Sequence, residues 1–134
     1  MNPPEPHVAC REVILELTNG ESLFGARGQR LLSLAKERHG LCNSNSGSGI
    51  VYPEDLDEYQ IEVEGAHIPY GWLSVFVYTH AIPPGYELFV PEYVYLKNLA
   101  SALLEAGCTS EAKEAHMLAE MACAQFEAMN PSSA

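Results

Sequence analysis

The most apolar segment of the chain spans residues 72–78 and reads WLSVFVY. It is rich in β-branched and aromatic residues, which fit the pleated surface of a sheet. A continuous apolar run of this length is typical of a strand that is buried on both faces. We therefore predict a central strand at residues 72–78. The IPPG turn at residues 82–85 predicts that the chain then reverses into a short final strand at residues 86–90.

The last third of the chain carries the signals of two helices. Pro91 can occupy a first helical position, and Gly107 is placed to end the helix that follows. Thr109 or Ser110 can cap a second helix, whose apolar residues recur at spacings of three and four as far as Met129. Because the break between the two helices is so short, they are predicted to pack as an antiparallel pair.

Upstream of the central strand, alternation of apolar and polar residues predicts further strands. Residues 8–17 and 59–64 alternate with the period of a half-buried strand. Asn19-Gly20 is a strong hairpin signal, and a short return strand over residues 22–24 would complete the hairpin.

One helix is predicted in the first half of the chain, over residues 29–39. Basic residues in its last turn suit the negative end of the helix dipole, and Gly40 is placed as its left-handed terminator. The resulting order is β-β-α-β-β-β-α-α, which predicts the α+β class. We expect an antiparallel sheet of about four or five strands packed by helices, with a C-terminal antiparallel helix pair.

The length of 134 residues predicts a single domain over residues 1–134. Three prolines in residues 1–7 predict a flexible arm, polar residues 41–49 a mobile loop, and residues 130–134 a frayed tail. The first residues lack the basic and apolar regions of an export signal, and the longest apolar run is far shorter than a membrane span. We therefore predict a soluble, cytoplasmic protein whose four cysteines are free thiols.

The net charge of -11 arises entirely after Arg38. Residues 1–38 contain five acids and five bases, whereas the rest of the chain contains thirteen acids against Lys97 and Lys113. Binding to nucleic acid or to an anionic membrane requires the opposite charge, so both are excluded as partners. A basic protein surface would be attracted, and such attraction accelerates association.

The densest acidic stretch lies within residues 54–64 and contains no base. All seven tyrosines and the only tryptophan lie between residues 52 and 95, in and beside this stretch. Tyrosine and tryptophan are enriched in protein interfaces, but they also line sheet cores, and the sequence leaves both roles open. We predict a partner-binding face formed by Glu54, Asp55, Asp57, Glu58, Tyr59, Glu62, Glu64, Tyr70 and Trp72.

Signals for metal or thiol chemistry are weak. The closest couples, His39 with Cys42 and Cys108 with His116, have no matching second couple of the kind that a structural zinc site needs. A cysteine–histidine pair could also meet in space, but no local signature supports one. We predict no metal and no cofactor.

Two other patterns have some features of a catalytic site or a nucleotide site. Glu62 and Glu64 would share the outward face of their predicted strand, about 7 Å apart, where a solvated acidic face is favoured over acid/base catalysis. The GARG turn at residues 25–28 lacks the remainder of a phosphate-binding pattern. We therefore predict that the protein is not an enzyme.

These observations favour an inhibitor that binds another protein. A basic surface surrounds the active site of a nuclease, or of an enzyme that uses nucleotides or NAD, because such enzymes bind anionic substrates. Carboxylates that mimic phosphates, with aromatic side chains as anchors, would occlude it. This physical type is that of an immunity or antitoxin protein that neutralises a bacterial effector toxin. A small enzyme with an unrecognised active site and an adaptor subunit of a larger complex remain alternatives.

Overall fold

The computed structural model describes residues 4–18, 21, 23, 25–43, 47–78 and 85–129. Five α-helices, four strands and one 3₁₀ helix lie within these ranges. In chain order they are α1 (Pro6–Leu17), α2 (Ala26–Glu37), β1 (Leu41–Asn43), β2 (Ser48–Val51), the 3₁₀ helix (Pro53–Asp55), α3 (Glu58–Glu62), β3 (Trp72–Val77), β4 (Tyr86–Pro91), α4 (Glu92–Glu105) and α5 (Thr109–Met129).

The four strands form one antiparallel sheet in the order β1-β2-β3-β4. Strand β3 is central, and its Leu73, Val75 and Val77 are fully buried beneath the helices. The predicted central strand, the predicted final strand and the α+β class are therefore confirmed. No helix in the described ranges is both long enough and apolar enough to cross a membrane.

The C-terminal helix pair is also confirmed. The ring of Tyr93, at the start of α4, lies 5.4 Å from the ring of Phe126, near the end of α5, so the two helices run antiparallel. Gly107 lies between them with a φ of 84°, a backbone conformation that is unfavourable for any residue with a Cβ atom. Residues 130–134, predicted to be a frayed tail, lie outside the described residues.

The strand predicted at residues 8–17 is wrong, because these residues belong to α1. Its buried side chains recur with helical spacing and pack against α4, β2 and β3, whereas Leu15 is more than half exposed. The helix begins at Pro6, which suits a first helical position. The predicted flexible arm over residues 1–7 is therefore wrong for Pro6 and His7, which are helical. The buried residues of α1 are Ala9, Cys10, Val13 and Ile14.

The loop predicted over residues 41–49 is wrong where it contains β1 and the start of β2. Cys42 pairs with Gly49 across this hairpin, and a side chain at Gly49 would collide with the Leu41 carbonyl and the Phe76 ring. Glycine therefore lets the strands approach rather than marking a loop. Residues 44–46, Asn19-Gly20 and most of the predicted return strand lie outside the described residues.

The helix predicted at residues 29–39 is confirmed as α2, but it begins at Ala26, inside the predicted GARG turn, and its predicted terminator is wrong. The left-handed residue is Arg38, with φ 55° and ψ 48°, rather than Gly40. Gly40 instead lies against the Ile50 carbonyl, where a Cβ atom would not fit. A left-handed arginine is strained relative to glycine, so its side chain has to be held by other contacts.

Candidate functional site

Residues 52–71 join β2 to β3, and this β2–β3 connection contains every predicted partner-binding residue except Trp72. It begins at Tyr52, which is buried, and returns to the protein interior at Ile68. Between these points, residues 57–67 include no buried residue. We call residues 57–67 the exposed segment. The connection thus has two anchored ends and an exposed middle.

Arg38 anchors both ends of the connection. Its Nε and Nη2 atoms donate to the two carboxylate oxygens of Glu54, at 2.5 and 3.3 Å. Its Nη1 atom donates to Glu92, in the first turn of α4. The guanidinium carbon also lies 4.9 Å from the ring centre of Tyr70, a cation–π distance. One side chain therefore ties the beginning and the end of the connection to α4.

The two carboxylates on Arg38 have opposite pKa shifts because they differ in burial. The hydrogen bond from Arg38 lowers the pKa of Glu54, which remains partly exposed. Burial raises the pKa of Glu92, whose side chain is only 7% exposed, although the charge of Arg38 acts in the other direction. Burial alone would lower the pKa of Arg38, but its contacts with both carboxylates outweigh this and raise it. Arg38 is thus permanently charged, and its charge favours the ionised form of Glu92.

Asp55 forms a second anchor at the start of the connection. Its Oδ2 atom accepts hydrogen bonds from the backbone N–H groups of Gly40 and Tyr52, each at 2.8 Å. Its Oδ1 atom lies 2.7 Å from His39 Nδ1. The side chain is only 14% exposed. Asp55 therefore fastens the connection to the segment between α2 and β1 and is not free to bind a partner.

Asp57 and its neighbours form a helix rather than the strand that was predicted at residues 59–64. Asp57 accepts from the backbone N–H of Gln60 at 2.8 Å, and the Gln60 side chain accepts from the backbone N–H of Asp57 at 3.0 Å. This reciprocal capping box starts α3. Glu62 and Glu64 therefore do not share a strand face, which corrects that prediction.

The exposed segment carries large apolar side chains together with its acids. Tyr59, Ile61 and Val63 are 63%, 51% and 65% exposed. These residues alternate with polar ones, and the alternation predicted a strand with one buried face. Ile61 and Val63 lie on the surface instead, which the sequence did not reveal. The Asp57 and Gln60 pair was the signal that could have revealed the helix. The acids Glu58, Glu62 and Glu64 are exposed beside them.

The two aromatic residues predicted for the face have different surroundings. Tyr70 is 57% exposed and lies next to Arg38, at the edge of the exposed segment. Trp72 is partly buried, and its ring packs edge-on against Phe126 of α5 at 5.3 Å. Trp72 therefore belongs to the packing between β3 and α5, and the docking surface is left to the side chains of the exposed segment and Tyr70.

Tyr52 supplies a prediction about stability. It is 1% exposed beneath Arg38, and its hydroxyl has no hydrogen-bond partner among the described residues. Since such a hydroxyl destabilises the folded state, Tyr52→Phe should raise the free energy of unfolding by about 1 kcal/mol in urea denaturation. Tyr86→Phe is the matched control, because the Tyr86 hydroxyl donates to Glu12 at 2.9 Å and its removal should lower stability. Equal losses in both variants would contradict the assignment.

The cysteines and histidines do not form a reactive centre among the described residues. Burial raises the pKa of Cys10 to about 12, so this thiol stays protonated. Cys108 is also buried, and its thiol donates to the Leu23 carbonyl. All four cysteines are free. Within the described ranges, no three His, Cys, Asp or Glu side chains are grouped so that they could hold a metal ion.

Comparison of the chain with protein-family models, with curated proteins and with solved structures finds no match in any of the three. The candidate site is therefore defined by its own geometry. It is an acidic and apolar surface, short in sequence, exposed in its middle and fastened at both ends by Arg38 and Asp55.

Proposed function

We propose that this protein binds and inhibits another protein through the exposed segment, in the manner of an immunity or antitoxin protein. The observation that carries the proposal is the exposure of Tyr59, Ile61 and Val63 among three exposed acids. Apolar side chains that lie together on a surface mark interaction sites, because leaving them in water is unfavourable, and Tyr59 and Val63 lie together four residues apart on α3 and its cap. Tyrosine in particular supplies a large anchor with a polar tip.

The anchored ends favour binding further. Arg38 and Asp55 hold the connection in place before any partner arrives, so less conformational entropy is lost on binding than for a free loop. Such preorganisation allows a small surface to contribute useful affinity. The anchors at the two ends and the exposed segment between them are therefore parts of one arrangement.

The charge of the connection indicates the partner's chemistry. Residues 52–71 contain six acids and no lysine or arginine. A complementary partner presents lysine and arginine around an apolar recess, as the active site of an enzyme with a phosphate-bearing substrate does. The carboxylates would take the places of phosphates while Tyr59 fills the recess. The proposed setting is the cytoplasm, where an immunity protein meets its toxin.

The test separates docking side chains from anchoring ones. The partner is captured from the native cell by the full chain and identified by mass spectrometry. Tyr59→Ala is then expected to weaken binding about 30-fold, as for a hot-spot residue worth about 2 kcal/mol. Glu58→Lys with Glu62→Lys should slow association and reduce its salt dependence. Glu87→Lys with Glu105→Lys, at exposed positions on β4 and at the end of α4 away from Glu92, makes the same change in net charge and serves as the control.

Two outcomes would count against the proposal. If the captured partner bound the Glu58→Lys and Glu62→Lys variant at the wild-type rate, with unchanged salt dependence, docking through the exposed segment would be refuted. If the partner kept its full activity when saturated with this protein, inhibition would be refuted and the adaptor alternative would take its place.

A further inference from the structure

A second surface lies on the C-terminal helix pair, where α4 and α5 leave an open groove of about 730 Å³ between them. Small side chains form its floor, with Ala100 and Ala112 both buried. Leu104 and Met117 line the groove and are each 62% exposed. The groove is therefore apolar and wide enough to receive large side chains from another molecule.

The groove also carries the few basic side chains of the acidic part of the chain that follows Arg38. Lys97 and Lys113 are the only lysine or arginine residues after Arg38, and both line the groove. Lys97 lies on α4 and Lys113 on α5, so the groove has a cation on each of its helices. Lys113 forms no ion pair with any described residue. An apolar helix face flanked by carboxylates would complement this arrangement.

The exposed segment has that chemistry. Tyr59 and Val63 are four residues apart on α3 and its cap, so they share a face. Glu58 and Glu62 flank that face on one side by helix geometry, and Glu64 follows directly after the cap. We infer that the groove binds the exposed segment of a second copy of this chain, with Tyr59 and Val63 between the α4 and α5 lysines.

The association between two copies is expected to be weak, because the interface is small. A short helix in one groove covers less than the roughly 1,000 Å² that a stable interface needs, so a transient complex is expected. The net charge of -11 on each copy opposes association, but at physiological salt this repulsion is screened beyond about 8 Å. Contacts inside the interface therefore decide the outcome. Self-association would cover the exposed segment until a tighter partner displaced the second copy.

Sedimentation velocity of the full chain, from low micromolar to near-millimolar concentration, tests the inference. The wild-type sedimentation coefficient should rise with concentration. Lys97→Glu with Lys113→Glu should weaken self-association at least about tenfold, since two attractions become repulsions. Arg27→Glu with Arg30→Glu, on exposed α2 positions, makes the same change in net charge and should have an effect below about twofold.

A charge exchange identifies the two surfaces as partners. The Glu58→Lys and Glu62→Lys variant should not associate with itself, but mixing it with the Lys97→Glu and Lys113→Glu variant should restore association. Leu104→Ser weakens the contact without changing any charge, and thermal unfolding confirms that each variant is folded. A wild-type protein that stays monomeric throughout, or a groove reversal without effect, would overturn the inference and leave the groove to a different occupant.

The groove variants also separate this inference from the proposed function, because they leave the exposed segment unchanged. They should bind the captured partner at least as well as the wild type while losing self-association. If the wild type is monomeric and still binds the partner through the exposed segment, only this inference fails.

Discussion

Arg38→Ala is expected to lower the free energy of unfolding by about 3 kcal/mol, measured by urea denaturation at neutral pH. The reason is the state in which it leaves Glu92, whose side chain is only 7% exposed. A buried carboxylate without its cation is among the most destabilising arrangements in a protein. Loss of the contacts with Glu54 and Tyr70 should also release the exposed segment, and faster amide exchange there would report it.

Glu92→Gln tests this explanation directly. Because burial already raises the pKa of Glu92, a neutral side chain at this position should be tolerated, and the single change should cost less than about 1 kcal/mol. Added to Arg38→Ala, it should restore about 2 kcal/mol. If the double variant were as unstable as Arg38→Ala, the unpaired charge of Glu92 would not be the cause.

The pH dependence of Arg38→Ala has a defined sign. In the folded state the pKa of Glu92 lies above its ordinary value of 4.5, so the folded protein binds a proton before the unfolded chain does. Stability from this group is therefore gained as the pH falls through the raised pKa toward 4.5. The deficit of Arg38→Ala relative to the wild type should shrink in that window, and it should not shrink when Glu92→Gln is also present.

The left-handed backbone of Arg38 provides a matched control. Arg38→Gly removes the same side chain but relieves a conformation that costs a non-glycine residue about 1 kcal/mol. It should therefore be less destabilising than Arg38→Ala by about that amount. An equal loss in both variants would mean that the backbone at residue 38 relaxes when its side chain is removed.

The parts of the fold that could be predicted are those whose signals are local. An apolar run at residues 72–78, Pro91 at a helix start and Gly107 at a break are all short-range features, and the elements they predict are present. Helix α1 was missed because apolar residues at positions 13, 15 and 17 fit an alternating pattern. Burial against α4 and two strands selected the helical stripe instead, and Pro6 was the local signal for it.

Which stretch carries the exposed acids could be predicted, but the different roles of its acids could not. Glu54 and Asp55 find their partners on Arg38, His39 and Gly40, about fifteen residues earlier in the chain. Such pairing depends on how α2 and the connection meet in space, which composition does not encode. Composition therefore predicts one docking face over the dense acidic stretch, whereas the stretch divides into anchors before Asp57 and exposed acids after it.

Asp55→Ala makes this division measurable. It should lower the free energy of unfolding by about 3 kcal/mol, because the backbone N–H groups of Gly40 and Tyr52 both lose a charged acceptor. Asp57→Ala is the matched comparison, since it removes the same side chain two residues later. It should cost only about 1 kcal/mol, as the loss of a helix cap does. Urea denaturation of both variants gives the comparison.

The effects of the acidic residues on partner binding should follow the opposite order from their effects on stability. Glu58→Ala and Glu62→Ala remove exposed carboxylates, so they should leave the free energy of unfolding within about 0.5 kcal/mol of the wild type while slowing association. Asp55→Ala, in contrast, should affect binding only as far as it loosens the exposed segment. If Asp55→Ala left stability unchanged and slowed association as strongly as Glu58→Ala, Asp55 would be a docking group. Its assignment as an anchor of the connection would then be wrong.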